Sequence, residues 1–483
     1  MKNSLNLQPE NVFHYFEELC KIPHGSGDTK RISDFCTSFA KTRNLEYYQD
    51  DLNNVIIIKE ATAGYEQSDP VIIQGHLDMV CEKDEGVTID FEKDGLDLYV
   101  DGEFLKARGT TLGGDDGIAV AYALAILDSN ELQHPRLEVI FTVDEETGME
   151  GVQGIDLTPI TGKKLLNIDS DEEGVILTSC AGGMGFHVTL PVTRKLATGT
   201  ICELKVHGLF GGHSGSEINK ERASANQVMG RVLKYLEDRQ EFSIVTLQGG
   251  QKDNAITRQS ICELVIEEST AVEEVMETLH TFEAILKKEY KATDSAITLS
   301  LTKKEIGARA ALDKTTQTKI LFFLREMPFG VQHMSITIPG LVETSLNPGI
   351  MKLNDTEFLL SFSIRSSVQS RKYDVADKLT FLAEFLGGSV EISGDYPAWE
   401  YKEESKVRTV IADVYRDLFQ EEPQITAIHA GLECGFLSGK IEGLDAVSFG
   451  PKNLDIHTPQ ERLSIASTKR YWDLLVEYLK RAK

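Results

Sequence analysis

The chain has no excess of positive charge, no long apolar run and no paired cysteines. Its 50 lysines and arginines stand against 76 aspartates and glutamates, a net charge of −26 over 483 residues. Such a surface repels the phosphates of nucleic acid and the anionic headgroups of a membrane, so neither is expected as a partner. The opening Met1–Pro9 is polar and lacks the apolar core of a signal peptide. No stretch approaches the roughly 20 apolar residues of a membrane span. The seven cysteines are odd in number, scattered and without a CxxC pair. They read as free thiols in a reducing compartment, with Cys81 as a packing residue. These absences together predict an acidic, cytoplasmic protein.

The hydrophobic share, 41% of the chain, is enough for ordinary globular packing, and the length is too great for one core. Periodicity predicts helices over Glu10–Lys21, Lys30–Arg43 and Ile118–Leu127. Short apolar runs predict strands over Asn54–Lys59, Pro70–Gly75, Leu137–Val143 and Lys164–Ile168. Strands alternating with helices imply an α/β domain with a mixed, largely parallel sheet covered on both faces. In such sheets, sites gather at the carboxyl ends of strands.

Five motifs rich in metal-binding side chains fall at such positions: Gly75-His76-Leu77-Asp78, Gly113-Gly114-Asp115-Asp116-Gly117, Asp144-Glu145-Glu146, Asn167-Ile168-Asp169-Ser170 and Asp455-Ile456-His457-Thr458-Pro459. Two histidines with three or more carboxylates suit a pair of zinc-like ions, and such a pair can hydrolyse an amide. Asp78, two residues after His76, is a candidate to orient that histidine through its second ring nitrogen. The Asp115 carboxylate can bridge two ions. Of Glu145 and Glu146, one can bind metal while the other faces the attacking water. Taken singly, Asp115 reads equally as a helix N-cap, the acid clusters as solvated turns and His457 as a surface residue. Their joint occurrence is what points to one site.

Past the glycine cluster Cys180-Ala181-Gly182-Gly183-Met184-Gly185 the chain alternates strands with amphipathic helices and lacks the acidic strand-end motifs. Strands are expected at Ile201–His207, Ala296–Lys303, Glu357–Ser366 and Ser389–Ser393, and helices at Ser224–Leu236 and Val272–Lys288. A second boundary is placed near Asp395-Tyr396-Pro397-Ala398-Trp399. Because His457 lies beyond it, the two chain ends are expected to build one domain, residues 1–185 and 397–483, around an inserted domain at 186–396. The glycines and the 395–399 segment are expected to act as a hinge.

The set of motifs resembles the co-catalytic di-zinc exopeptidases that include peptidase T, dipeptidase V and glutamate carboxypeptidase. Within them it is most similar to the bacterial aminoacyl-histidine (Xaa-His, or cytosolic β-alanyl-histidine) dipeptidases. The resemblance is carried by the motifs above together with Ile22-Pro23-His24-Gly25-Ser26-Gly27, Gly211-Gly212-His213-Ser214-Gly215 and His429-Ala430-Gly431-Leu432-Glu433-Cys434-Gly435. It implies a phosphorylase/hydrolase-like catalytic domain with an inserted α+β lid domain. It also implies two divalent ions per chain, Zn2+ first with Co2+ or Mn2+ as substitutes. His76, Asp115 and Asp169 would hold one ion, and Asp115, Glu146 and His457 the other. Glu145 would be general base, Asp78 the orienter of His76 and His213 a donor to the oxyanion. Asn254, Arg365, His429 and Glu433 would contact substrate, although relatives carry a Gly-Gly-Thr-containing loop where His429 and Glu433 stand. The peptide after Asp115 would be cis. The implied activity is hydrolysis of Xaa-His and related dipeptides, with a small peptide as partner and a homodimer left open. Aminotripeptidase, N-acyl-amino-acid deacylase and a non-catalytic peptide-binding homologue are the alternatives.

Overall fold

The computed structural model describes residues 4–267 and 270–483. The chain divides into two compact units, one formed by the residues up to Ser179, Tyr401–Ala427 and Leu432–Lys483, the other by Cys180–Glu400 and Ile428–Gly431.

In the first unit an eight-stranded sheet runs in the order Glu46–Gln49, Val55–Lys59, Leu137–Thr142, Val71–His76, Lys164–Asn167, Asp445–Ser448, Val175–Cys180, Gln424–Ile428. The sheet is mixed. Parallel pairing joins the central four strands, from Leu137–Thr142 to Asp445–Ser448, and antiparallel pairing joins the strands on the 46–59 side. The central strands Leu137–Thr142 and Val71–His76 are buried along their whole length, as their near-continuous apolar runs require. Helix Gly114–Asp128 is buried on every side from Gly117 to Leu127, which fits a sequence apolar all round. It shares one core with Phe13, Phe16, Ile73, Phe141 and Leu475. A small sheet orders Asn453–Leu454, Arg462–Ser464, Phe104–Ala107 and Leu98–Asp101, and its hairpin Asn453–Ser464 presents the loop that carries His457.

The second unit is built on a nine-stranded sheet. Helices Ala225–Glu237, Val272–Glu289, Lys314–Glu326 and Gln369–Phe385 pack one core with it, around Phe186, Phe323, Phe358 and Phe362. Strand Glu357–Ser366 shows why, since every second residue is buried. Strand Thr298–Leu312 runs well past Lys303, the expected end, by pairing along the whole of Arg194–His207. Its exposed middle, Thr302–Ile306, is held extended by backbone pairing with the neighbouring strand.

The glycine cluster differs from expectation. Gly182–Pro191 is a strand paired on both sides, with Glu357–Ser366 and with Ser389–Tyr396. A Cβ on Gly182 would lie 2.5 Å from the Ala398 nitrogen, and one on Gly183 2.5 Å from the Tyr396 hydroxyl. These glycines supply room for a neighbouring backbone and ring, and no unusual φ. Gly182→Ala should therefore lower stability by about 1–3 kcal/mol, the usual cost of overpacking, measured by urea unfolding. An unchanged midpoint would return the glycines to a conformational role.

Candidate metal centre

Three of the motifs meet because their strands are neighbours. Leu137–Thr142, Val71–His76 and Lys164–Asn167 lie side by side and parallel, with His76 opposite Thr142 and Gln74 opposite Asn167. Residues just past their carboxyl ends, Glu145, Glu146, Asp78 and Asp169, therefore emerge at one edge. Asp115 comes from the first turn of helix Gly114–Asp128, and the Asp115–Asp116 peptide is cis. His457 arrives from its hairpin loop.

His76 is buried. Its Nδ1 lies 3.0 Å from the Asp78 carbonyl oxygen and 3.4 Å from Asp78 Oδ1. Both groups accept, so Nδ1 carries a proton; burial opposes charge on the ring, but Asp115 and Asp78 hold its pKa well above the ordinary value. The strand ends at His76, so Asp78 approaches from the following turn and not from the strand face; its main-chain oxygen is the nearer acceptor. His76 Nε2 faces Asp115 Oδ1 at 3.2 Å and Asp169 Oδ1 at 3.7 Å. The other Asp115 oxygen, Oδ2, lies 3.1 Å from His457 Nε2. Glu146 Oε1 stands 2.9 Å from the same nitrogen yet accepts no hydrogen bond. Asp115, Glu146 and His457 each offer one atom within 4.8 Å of the others, as do His76, Glu145 and Glu146. His76, Asp116 and Asp169 form a third such group. Asp116 Oδ2 accepts the His76 N–H at 3.2 Å, while Asp115 is the carboxylate with both oxygens turned to histidines.

The Asp78 carboxylate serves a second purpose. It accepts from Ser26 Oγ at 2.8 Å and from the N–H groups of Glu145 and Glu146 at 3.1 and 3.4 Å. Burial opposes its charge, but His76, Ser26 and Glu145 N–H prevail and bring it down to about 2. Burial pushes Glu145 up to about 8, with Glu433, Glu146 and Asp115 adding to it. Burial and Asp116 hold Asp169 well above the carboxylate range. The Asp115 and Glu146 carboxylates beside it raise His457 to about 10. The partners of these acids named here are histidines, hydroxyls and main-chain N–H groups, and not lysine or arginine. Convergent lone pairs and an excess of buried carboxylate are the donor set that divalent cations fit.

Glu433 is fully buried. It accepts from Gln74 Nε2 at 2.5 Å and Thr142 Oγ1 at 2.7 Å. It thus lies under the strand ends, and burial raises it to about 7. Two further acids carry weight that their motifs did not announce: Asp116, on the His76 N–H, and Glu461, whose carboxylate receives the main chain of residues 112–115. Neither shows a pattern in the sequence, because their partners are backbone N–H groups.

His213, Asn254, Arg365 and His429 belong to the second unit. His213 Nδ1 accepts the N–H groups of Gly215 and Ser216, each at 3.2 Å. The ring proton is therefore on Nε2, which is free to donate. Burial and then Arg365 lower its pKa, so it is neutral near pH 7. His429 is buried, bonded through Nε2 to Ser345 Oγ at 2.7 Å, and burial depresses it to about 3. Asn254 is exposed and its carbonyl oxygen accepts the Ser214 N–H at 2.9 Å. Arg365 donates to the Tyr396 hydroxyl, while its buried Nε lacks a protein partner.

The chain belongs to peptidase family M20/M25/M40, whose model matches residues 72–481. It is 35% identical over 482 residues to the cytosol non-specific dipeptidase of Escherichia coli, covering 99% of both chains. The crystal structure of aminoacylhistidine dipeptidase from Vibrio alginolyticus superposes with a TM-score of 0.92 at 34% identity, over 98% of this chain and 97% of that one. A tripeptidase from Staphylococcus aureus, with a TM-score of 0.55 at 14% identity over 99% of both chains, shares the fold. No helix among the described residues is long and apolar enough to cross a membrane.

Glu145 and Glu433 have folded-state values of about 8 and about 7, above the ordinary 4.5. The stability they contribute is complete below about pH 4.5 and is lost as pH rises through 7 to 8. Metal-stripped protein should lose thermal stability over that window, and added Zn2+ should restore more at about pH 8.5 than at about pH 5. Differential scanning calorimetry measures this; a cation-induced shift of equal size at both pH values would contradict it.

Proposed function

We propose that the chain is a di-metal dipeptidase that hydrolyses Xaa-His and related dipeptides. The observation that carries the reading is the Asp115 carboxylate, one oxygen toward His76 and the other toward His457, with a further carboxylate beside each histidine. His76, Asp115 and Asp169 would hold one ion and Asp115, Glu146 and His457 the other, with Zn2+ the first choice and Co2+ or Mn2+ as substitutes. When bound, such ions polarise a scissile carbonyl and make an attacking water more acidic. The relatives' names, a cytosol non-specific dipeptidase and an aminoacylhistidine dipeptidase, support the substrate class and a cytosolic location.

The chain's own residues have distinct tasks. Glu145 takes a proton from the attacking water and returns it to the leaving amine. Its burial among acids gives it the basicity for this, which bound cations would temper. Asp78 holds the N–H groups of Glu145 and Glu146 and so keeps base and ligand apart. His213 donates through Nε2–H to the developing oxyanion; losing one such donor costs about 3–4 kcal/mol of transition-state stabilisation. Arg365, with Asn254 and His429, meets the peptide's carboxylate end. Glu433, buried beneath the strand ends, supports Gln74 and Thr142 and is no longer proposed as an open substrate contact.

A panel of Xaa-His dipeptides, other dipeptides, tripeptides and N-acyl amino acids, with and without chelator, tests the function. Dipeptides should be cleaved fastest, chelation should abolish turnover, and a divalent ion should restore it. Full activity in metal-free protein would refute the mechanism. Glu145→Ala and His213→Ala should each lower kcat, the former by at least about 100-fold, with metal content kept. His76→Ala should instead lose metal. Retained rate with lost metal in Glu145→Ala would exchange the roles of the two glutamates.

A further inference from the structure

Glu461 is a buried acid whose carboxylate is surrounded by donors from one turn. Oε2 accepts the N–H groups of Leu112 and Gly113 at 2.7 and 3.0 Å. Oε1 accepts those of Gly114 and Asp115 at 2.9 and 3.3 Å, and Asn453 Nδ2 at 3.0 Å. Four successive main-chain donors converge because Gly113 sits in the left-handed region, with φ of 67°, which turns consecutive N–H groups to one side as in an anion nest. The space is filled, since a Cβ on Gly114 would lie 2.8 Å from Asn453 Nδ2 and 3.2 Å from Glu461 Oε1.

The same residue closes the loop that carries His457. The Glu461 N–H donates to the Thr458 carbonyl at 3.1 Å, one residue past His457. One residue therefore ties two segments that are far apart in sequence, its carboxylate holding the 112–115 turn and its main-chain N–H the His457 loop. Through the Asp115 N–H it sets the backbone from which the two carboxylate oxygens fan out to His76 and His457. Through Thr458 it sets the height of His457. Two of the three groups Asp115, Glu146 and His457 stand on segments tied to Glu461. Of His76, Asp115 and Asp169, only Asp115 does, the other two being held by sheet strands.

We infer that Glu461 is a positioning residue that locks the Asp115 turn to the His457 loop, so that the cation site of Asp115, Glu146 and His457 depends on its carboxylate far more than the site of His76 and Asp169 does. This rests on the two-cation reading above. Its physical basis is acceptor chemistry. Four N–H groups need an acceptor on both oxygens, and an amide in place of one oxygen sets donor against donor. The turn then moves, and the Asp115 oxygens move with it.

The test is metal binding by the full-length chain, without reference to turnover. Metal-stripped wild type, Glu461→Gln, His457→Ala and the double variant are titrated with Co2+, followed by calorimetry and by the visible absorption of bound cobalt. Folding is checked by circular dichroism. Wild type should take up two ions; fewer than two would sink the two-cation reading itself, separately from the role of Glu461. Glu461→Gln should bind one ion about as wild type does and the other about 10–100-fold more weakly, the usual effect of losing a residue that orients metal ligands. In the His457→Ala background the same change should leave the remaining ion's affinity within about 3-fold, because coupled residues are not additive. Equal weakening of both ions in a folded Glu461→Gln protein, or wild-type affinity for both, would overturn the inference. Should Glu461→Gln fail to fold, Asn453→Ala removes one donor to Oε1 and should weaken the same ion selectively; no effect on either ion would likewise overturn it.

Discussion

The Asp115 carboxylate, set between two imidazoles, is the interaction on which the rest of the structure turns. Its oxygens lie 3.2 Å from His76 Nε2 and 3.1 Å from His457 Nε2. A side chain with two equivalent oxygens on one rigid carbon can face two partners at once without choosing between them. To hold it there the fold uses three devices: a left-handed glycine before the helix, a buried helix behind it, and the nest of N–H groups closed on Glu461. Each of the two histidines is fixed by separate means, His76 by the end of a central strand and the Asp78 carbonyl, His457 by a short hairpin.

That arrangement concentrates negative charge where burial makes charge costly. Asp78 can remain ionised because a histidine, a hydroxyl and N–H groups answer it. Glu145 and Asp169 have fewer partners and are driven toward the protonated state. The cluster is thus poised between binding protons and binding cations. This is the usual condition of a site whose ligands must be deprotonated to work, and it leaves a glutamate of unusual basicity beside the place where cations would sit.

Much of this was legible in the residues. The central strands show as apolar runs, and because parallel strands present their carboxyl ends together, the motifs at those ends could be placed in one site before any coordinates. His457 joins it through the joint occurrence of the motifs and the family resemblance, since a lone loop histidine carries no pattern of its own. Glu461, Asp116 and the buried setting of Glu433 were not legible, for their partners are main-chain N–H groups or neutral side chains that only the fold brings near. The glycines at 182, 183 and 185 were read for conformational freedom, yet they serve close packing; composition does not distinguish the two uses. The exposed middle of Thr298–Leu312 is extended because a partner strand is there, which local preference cannot reveal.

The pairing of His457 with Asp115 spans 342 residues, and that of Glu461 with Leu112 spans 349. During synthesis the strand-end acids are made long before these partners leave the ribosome. Chains fold largely in the order they emerge, and contacts of such long range close late. The strand Asp445–Ser448, which lies inside the sheet beside Lys164–Asn167, is made just before His457, so the sheet and the cluster are completed together. A chain lacking the hairpin Asn453–Ser464 would carry the strand-end acids without His457 or Glu461.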